Sequence, residues 1–292
     1  MPSMQTIAVH AGARQQSIAD QPAASFHPVV PPIHPSVAYF YDHLDDLDAV
    51  FAGQADGYVY TRYANPTVTG FEQAVATLEN APDAVAYASG MAAIHGALLA
   101  AGVRTGMRVV CATDVYGATY ALLSRLFTEL GVQSTFVDVS DLAETEAAVS
   151  ASRPTVVFCE TLSNPLLKVA DIPALAQMAH ANGAQLLVDN TFATPYLCRP
   201  LEAGADMAIH SVTKYLSGHG DVMAGVVACR SEQAHALREN QKLIGANLAP
   251  EPAWLAHRGL RTFWLRVRAQ FANAERVAAW LDEQSTVSAV HY

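Results

Sequence analysis

Positive charge is scarce in this chain, and no run of basic residues concentrates it. The 17 Lys and Arg residues are outnumbered by 27 Asp and Glu residues, which gives a formal net charge of −10. Nucleic acids and anionic membranes are therefore not expected as partners. The apolar runs contain Gly, His or charged residues and are shorter than the roughly 20 residues of a membrane span. Because the N-terminus also lacks the apolar core of a signal peptide, we expect a cytoplasmic protein.

Cysteine is scarce as well, and the usual short motifs for metals and nucleotides are missing. The four cysteines lie far apart, no C-x-x-C pair occurs, and the 11 histidines include no H-E-x-x-H spacing. Three of the cysteines stand in apolar segments, which is typical of reduced, buried residues rather than of disulfides or zinc ligands. Neither G-x-G-x-x-G nor G-x-x-x-x-G-K is present. These absences disfavour metal, nicotinamide and P-loop nucleotide sites.

Apolar residues, by contrast, are abundant and follow an alternating pattern. Of the 292 residues 51% are hydrophobic, which is enough for a large core in one large domain or two smaller ones. Residues 1–60 show little periodicity and include the proline-rich stretch Pro28–Pro35, so we predict an extended N-terminal arm. Residues 61–247 alternate between strand-like and helical segments, which predicts an α/β domain. Residues 248–292 turn helical and predict the start of a C-terminal domain.

The alternating region predicts a mainly parallel sheet with helices on both faces. Its strand-like segments are Ala84–Ala88, Arg108–Ala112, Ser134–Val139, Thr155–Cys159, Gln185–Val188, Met207–Ile209 and Gly225–Ala228, and Val287–Val290 has the composition of a short final strand. Helical periodicity begins near Pro66 and recurs over Ala92–Ala101, Ala118–Leu130, Ala143–Ser150, Pro173–Asn182 and Phe263–Gln284.

Polar residues follow five of these predicted strands at the points where the strands end. Ligands of such sheets bind beyond the carboxyl ends of the strands, so the five clusters predict a common site at one edge of the sheet. The clusters are Ser89–Gly90, Asp114–Gly117, Glu160–Asn164, Asp189–Thr191 and Ser211–Lys214.

Lys214 and Asp189 are the two residues that most restrict which chemistry this site can perform. Lys214 stands in a small-hydroxyl cluster with Ser211 and Thr213, and Asp189 ends the preceding apolar segment. Most lysines are solvated surface residues, but this one follows a buried strand and precedes a glycine-rich run. Pyridoxal phosphate chemistry needs such a set: the amine forms an imine with the cofactor aldehyde, hydroxyls bind the phosphate, and a carboxylate keeps the pyridine nitrogen protonated. The structural alternative for Asp189 is a helix cap.

The other candidate residues have both a cofactor-binding and a structural interpretation. Ser89–Met91 opens a helix, whose free N–H groups and dipole attract an anion, although a serine there also suits an N-cap. The ring of Tyr116, just before Gly117, could lie over a planar cofactor or simply pack. Arg62, beside Tyr60 in a loop, suits a phosphate, although a loop arginine is usually solvated.

Several short segments of the chain share the pattern of one known family. They are Val9–Gly12, Pro31–Ile33, Tyr60–Arg62, Asn65–Thr67, Ala88–Ala93, Tyr116–Gly117, Glu160–Thr161, Ser163–Leu167, Val188–Thr191 and His210–Gly225. Together they resemble the Cys/Met-metabolism family of pyridoxal phosphate (PLP)-dependent enzymes, which includes cystathionine γ-synthase, cystathionine lyases, methionine γ-lyase and O-acylhomoserine sulfhydrylases. The resemblance implies an aminotransferase-like α/β fold (PLP fold type I), pyridoxal 5′-phosphate as cofactor and a small amino-acid substrate. It also implies a homo-oligomer, a dimer with shared sites that usually assembles into a tetramer.

The resemblance also implies a role for each candidate residue. Lys214 links to the cofactor, Asp189 pairs with the pyridine nitrogen, and Tyr116 stacks on the ring; these three are the candidate catalytic residues. Tyr60 and Arg62 reach the phosphate bound in the neighbouring subunit. The rest of the cofactor-binding set is Asn164 on the ring hydroxyl and Gly90, Met91, Ser211 and Thr213 on the phosphate, with Ser89 and Thr191 beside them.

The reaction implied is carbon–sulfur bond formation or cleavage, closest to that of cystathionine γ-synthase, with γ-replacement on an O-acylhomoserine giving cystathionine. Cystathionine γ-lyase, methionine γ-lyase and O-acylhomoserine sulfhydrylase are the alternatives. Ala118 stands where methionine γ-lyases carry a cysteine, which disfavours that activity. Family chains continue past the position of Tyr292 into a part that carries the arginine for the substrate carboxylate. We therefore expect an incomplete C-terminal domain, and a cofactor-binding fragment without turnover is a further alternative.

Overall fold

The computed structural model describes residues 3–12 and 28–292, and its centre is a seven-stranded sheet. The strands are β1 (Asp83–Tyr87), β2 (Arg108–Ala112), β3 (Gln133–Val137), β4 (Val156–Glu160), β5 (Gln185–Asp189), β6 (Met207–Ser211) and β7 (Gly225–Cys229). The helices are α1 (Met4–His10), α2 (Leu44–Phe51), α3 (Pro66–Glu79), α4 (Gly90–Ala100), α5 (Gly117–Ala121, continued by a π-helical turn over Leu122–Phe127), α6 (Leu142–Ser152), α7 (Ile172–Ala181), α8 (Thr194–Leu197), α9 (Ser231–Ile244), α10 (Pro250–Leu260) and α11 (Phe263–Asp282). Within the described residues, no helix has both the length and the apolar character that crossing a membrane requires.

The strand order places most of the carboxyl strand ends at one edge of the sheet. The order is β1-β7-β6-β5-β4-β2-β3. Strands β3, β2, β4, β5 and β6 pair in parallel, whereas β7 pairs antiparallel with both β6 and β1. Because two antiparallel steps separate β1 from β6, β1 runs in the same direction as the parallel strands. The predicted α/β fold with a mainly parallel sheet is confirmed, and β7 is its antiparallel member.

Two hydrophobic cores cover the two faces of the sheet. One includes the fully buried side chains of Leu98 and Leu175, from α4 and α7. The other includes Phe71, Leu260 and Phe263, from α3, α10 and α11. Burying a large apolar side chain contributes roughly 1.5–3 kcal/mol, so each face is firmly covered. The strand ends are therefore fixed, and the loops beyond them are free to carry polar groups.

Helix α3 shows how local sequence sets an element boundary close to the site. The side chain of Asn65 accepts a hydrogen bond from the N–H of Thr67 (2.9 Å), and Pro66 occupies the first helical position. The helix ends at Asn80, which adopts a left-handed φ of 53°. Its last helical residue, Glu79, is completely buried.

Three features of the structure differ from the expectations. Residues 1–60 are not wholly extended, because their described part contains α1 and α2, helices of 7 and 8 residues; residues 13–27 lie outside the described residues. Helix α9 was not predicted, since most of its residues are polar and only Ala234, Leu237 and Gln241 are buried. The predicted strand over Val287–Val290 is wrong, because that segment forms no strand within the described part of the chain.

Candidate active site

The five polar clusters converge on one cavity of about 250 Å³ at the carboxyl edge of the sheet. Apart from Tyr60 and Arg62, the cavity lining includes every residue predicted to bind the cofactor. It also includes Glu160 and Leu162, which belong to a predicted cluster but were assigned no role, and three apolar side chains that were not predicted, Ile94, Phe192 and Met223. The lining residues are Ser89, Gly90, Met91, Ile94, Tyr116, Glu160, Leu162, Asn164, Asp189, Thr191, Phe192, Ser211, Thr213, Lys214 and Met223.

Lys214 lies in a tight turn directly after β6. Its N–H donates to the carbonyl of Ser211 (3.2 Å), and its own carbonyl accepts from the N–H of Gly218 (2.9 Å). Gly218 has a φ of +72°, and a Cβ there would collide with the guanidinium of Arg266. That guanidinium donates to the carbonyl of Tyr215 (2.8 Å). The turn is therefore stabilised both by its own backbone hydrogen bonds and by Arg266. Within the described part of the chain the Lys214 amine forms no hydrogen bond or salt bridge, which leaves it free to react.

Asp189, the last residue of β5, supplies a buried carboxylate to the same cavity. Only 9% of the residue is exposed, and its Oδ1 accepts a hydrogen bond from the N–H of Thr191 (2.9 Å). Burial raises the pKa of Asp189, while the Thr191 hydrogen bonds and the charge of His210 act in the opposite direction. No cationic side chain among the described residues forms a salt bridge with it. A buried carboxylate in this state needs a cation to stay ionised.

A second buried network lies behind Asp189 and was not predicted from the sequence. The Nε2 atom of His210 lies 2.6 Å from Oε1 of Glu79, and the side-chain amide of Asn190 donates to the same oxygen (3.0 Å). His210 and Glu79 are both fully buried. Because His210 belongs to β6 and Asn190 follows Asp189 directly, this network fixes the ends of the two strands that carry Lys214 and Asp189.

The N-terminus of α4 and two hydroxyl residues form the part of the cavity suited to an anion. Ser89 caps the helix, since its Oγ accepts from the N–H of Ala92 (3.1 Å). Gly90 allows the helix to approach Ser211 closely, because a Cβ on Gly90 would lie 2.9 Å from the Cβ of Ser211. Free N–H groups at a helix start, the helix dipole and nearby hydroxyls favour a phosphate group.

Two threonines of the cavity already have backbone partners. The hydroxyl of Thr191 accepts from the N–H of Ser211 (2.8 Å). The hydroxyl of Thr213 accepts from the N–H of Ala224 (3.1 Å) and lies 3.3 Å from the Ala224 carbonyl. Thr191 therefore orients Ser211 and Asp189, and Thr213 ties the Lys214 turn to the start of β7.

Glu160 connects the loops that carry Tyr116 and Asn164. Its Oε1 accepts from the N–H of Tyr116 (2.6 Å), and its Oε2 accepts from the N–H of Asn164 (3.1 Å). Burial and then the charge of Asp189 raise the pKa of Glu160 to about 7, against the effect of the two backbone hydrogen bonds. Tyr116 lines the cavity and is about half exposed, at 51%.

Tyr60 and Arg62 do not line this cavity. The Arg62 guanidinium donates to the carbonyl of Lys242 (2.6 Å). It also lies 5.5 Å from the ring centroid of Tyr60 and 5.2 Å from that of Tyr63. The two residues predicted to bind a phosphate therefore form a separate cationic and aromatic cluster on the surface of the same chain.

The residues that are present fit a PLP molecule. A free amine, a buried carboxylate that lacks a cation and an anion-binding helix N-terminus all face one cavity. These are the groups that would hold the aldehyde, the ring nitrogen and the phosphate of PLP, respectively. The unpaired Asp189 carboxylate is the strongest of these indications, because no cationic side chain in residues 3–12 and 28–292 forms a salt bridge with it.

Comparison with known proteins leads to the same cofactor. The family described as Cys/Met metabolism PLP-dependent enzyme matches residues 5–292. The chain is 42% identical over 287 residues to O-succinylhomoserine sulfhydrylase from Pseudomonas aeruginosa, covering 98% of this chain and 69% of that protein. It is 39% identical over 290 residues to L-methionine gamma-lyase from Fusobacterium nucleatum subsp. polymorphum, covering 98% and 71%. The crystal structure of metB from Corynebacterium glutamicum superposes with a TM-score of 0.88 at 35% identity and covers 99% of this chain and 71% of that one.

Proposed function

Since the chain belongs to the Cys/Met metabolism family of PLP-dependent enzymes, we propose that it catalyses γ-replacement on an O-acylhomoserine. With cysteine as the sulfur donor the product is cystathionine. The observation that carries the proposal is the convergence of Lys214, Asp189 and Tyr116 on one cavity at the carboxyl edge of the sheet. Bound PLP supplies an electron-accepting ring that stabilises negative charge on the substrate carbons.

Lys214 is the residue that would hold the cofactor covalently through Nζ. During turnover the Lys214 Nζ would accept the proton from the substrate α-carbon and could deliver it elsewhere on the substrate. The tight turn after β6 keeps this amine at the cavity, and the Arg266 guanidinium braces the turn through the carbonyl of Tyr215.

Asp189 is the residue that would keep the ring nitrogen protonated. Its carboxylate is buried and has one backbone donor, from Thr191, so an ion pair with a cationic nitrogen restores the charged form that burial disfavours. The N–H groups of Gly90 and Met91 and the hydroxyls of Ser211 and Thr213 would hold the phosphate. The side chain of Asn164 would orient the ring hydroxyl.

Tyr116 is the candidate for moving a proton at the leaving group. Tyr116 lines the cavity, and its backbone N–H is held by Glu160. A phenol close to the γ-substituent can donate to the departing acyl oxygen or accept from the incoming sulfur. Ala118, two residues further on, offers no thiol in this region, in contrast to the methionine γ-lyases that the chain resembles.

We further propose that Tyr60 and Arg62 serve the cavity of a neighbouring subunit. They lie outside the cavity of their own chain, and the guanidinium is oriented by the Lys242 carbonyl and by two tyrosine rings. Large apolar residues are exposed in the same N-terminal region, with Phe40 at 93% and Leu44 at 70%. Exposed apolar surface of this kind favours burial against another chain, which supports a dimer with shared sites and its assembly into a tetramer.

A second candidate is transfer of inorganic sulfide rather than cysteine, as the likeness to O-succinylhomoserine sulfhydrylase favours. The deciding experiment is a steady-state assay of the PLP-loaded protein with O-succinylhomoserine and O-acetylhomoserine, each with cysteine or with sulfide. Cystathionine formation from cysteine is expected. Faster turnover with sulfide would establish the second candidate. Turnover of methionine or cystathionine without turnover of either acylhomoserine would overturn both.

A further inference from the structure

Glu160 ties together two loops that approach the cavity from different strands. Tyr116 belongs to the loop after β2, and Asn164 belongs to the loop after β4. The two oxygens of one carboxylate accept their backbone N–H groups, at 2.6 and 3.1 Å. No other contact within the described residues joins these two amides to a common acceptor. The position of both side chains therefore depends on a single carboxylate at the end of β4.

The charged groups around Glu160 are mostly of its own sign. Asp189 is its direct neighbour in the pairing of β4 with β5, and Asp114 in the loop after β2 also raises its pKa. Two lysines lie near it: the Nζ of Lys168 is 2.6 Å from Asp138 and 3.9 Å from Asp114, and Lys214 lines the same cavity but forms no salt bridge with Glu160 in the described part of the chain. The neighbouring thiols are neutral, because burial raises the pKa of Cys111 and of Cys159.

We propose that Glu160 is a positioning residue of the cofactor site, whose ionised carboxylate holds the Tyr116 and Asn164 loops where they receive the ring. The inference rests on the proposed contacts of Tyr116 and Asn164 with the cofactor. A positive ring nitrogen beside Asp189 offsets the charge that opposes ionisation of Glu160. Cofactor binding and ionisation of Glu160 therefore favour each other, as linkage requires.

The first test measures amide hydrogen exchange in the cofactor-free full chain. The Glu160→Gln variant keeps the size of the side chain but replaces one acceptor oxygen with an NH₂ group, which cannot accept. At least one of the two segments, which contain Tyr116 and Asn164, should then exchange about tenfold faster, since the amide facing the NH₂ group loses a charge-assisted hydrogen bond, while the rest of the sheet is unaffected. The matched control is Asp114→Asn, which removes a neighbouring carboxylate that does not bond these amides, and it should leave both segments protected. Unchanged exchange in Glu160→Gln would overturn the proposal.

The second test measures PLP affinity against pH from the visible absorption of the bound cofactor. At a pH well above 7, Glu160→Gln should bind PLP about tenfold more weakly than the wild type. Well below pH 7 the two affinities should converge, because Glu160 is then protonated in the wild type as well. A purely structural defect would weaken binding equally at all pH values. That result would overturn the proposal, and so would equal affinity of the two proteins at all pH values.

If Glu160→Gln does not fold, Glu160→Asp replaces it. Its side chain is one methylene too short to reach both amides, so one of the two amides should lose protection. Failure of the wild type itself to bind PLP would instead refute the proposed function.

Discussion

The Asp189→Asn substitution should affect the cofactor-free and the cofactor-loaded protein in opposite directions. In the free protein, the Asp189 carboxylate is buried and paired with no cation among the described residues, and burial raises its pKa. A neutral amide can still accept from the N–H of Thr191 and no longer bears a desolvated charge. Stability of the free protein at neutral pH should therefore rise by on the order of 1–3 kcal/mol, or about 2–4 °C in Tm for each kcal/mol.

The pH dependence of this gain follows from the direction of the pKa shift. A carboxyl group whose pKa is higher in the folded state than its ordinary value of 3.8 stabilises the fold only when it is protonated. The wild type should therefore match Asp189→Asn below that ordinary value and fall behind as the pH rises towards the folded-state pKa. Thermal unfolding of both proteins over this pH range measures the difference. Asp282→Asn, at the exposed end of α11, is the control that should show no such trend.

In the loaded protein the same substitution removes the partner of the ring nitrogen. A hydrogen bond between charged groups contributes about 1.5–3 kcal/mol, so PLP affinity should fall roughly tenfold to a hundredfold. Turnover should fall further, because a neutral amide cannot keep the ring protonated. Two results would refute the interpretation that Asp189 is a buried, unpaired carboxylate that binds the ring nitrogen. They are a lower Tm of cofactor-free Asp189→Asn at neutral pH and an unchanged PLP affinity.

Three further predictions concern the covalent link, the shared site and the buried network. Borohydride reduction followed by peptide mapping should find the pyridoxyl group on Lys214; a different lysine would contradict the site described above. Mixed Arg62→Ala and Lys214→Ala chains should regain part of the activity that each lacks alone, and verified hybrids without activity would show that each cavity is complete within one chain. Glu79→Gln should destabilise the protein by about 1–3 kcal/mol in chemical unfolding, because it weakens the buried hydrogen bonds that Glu79 makes with His210 and Asn190; an unchanged midpoint would show that these bonds do not stabilise the fold.

The strands and their order along the chain are predictable, but the direction of one strand is not. The predicted segment Arg108–Ala112 coincides with β2, because a strand covered on both faces leaves a continuous apolar run. Gly225–Cys229 has the same appearance, although β7 runs antiparallel to its neighbours. The cause lies in the connection from β6, which contains the Lys214 turn and no crossover helix, so the chain returns in the opposite direction.

The candidate site is predictable where it depends on strand ends, and less so where it depends on distant partners. Lys214 and Asp189 follow apolar runs that mark their strands, so a local pattern reveals them. Glu160 acts on a backbone amide 44 positions earlier, and Glu79 meets His210 across 131 positions. Contacts of this kind leave no local signal, because any acceptor of suitable reach could satisfy them. The fold therefore has to be known before the role of these carboxylates can be assigned.

The electrostatics of the cavity link cofactor binding to the geometry of its loops. Asp189 and Glu160 are neighbours across β4 and β5, and burial is the main cause of the raised pKa of each. Lys168 bonds Asp138 at 2.6 Å rather than either of them, and no described residue forms a salt bridge with Asp189 or Glu160. Without a ligand, protonation of one of the two carboxyl groups therefore relieves the repulsion. A cationic ring nitrogen beside Asp189 relieves it as well, and it lets Glu160 remain ionised and keep both loop amides. The same unpaired carboxylates thus destabilise the empty site and favour the bound one, so affinity, loop order and ionisation form one coupled equilibrium.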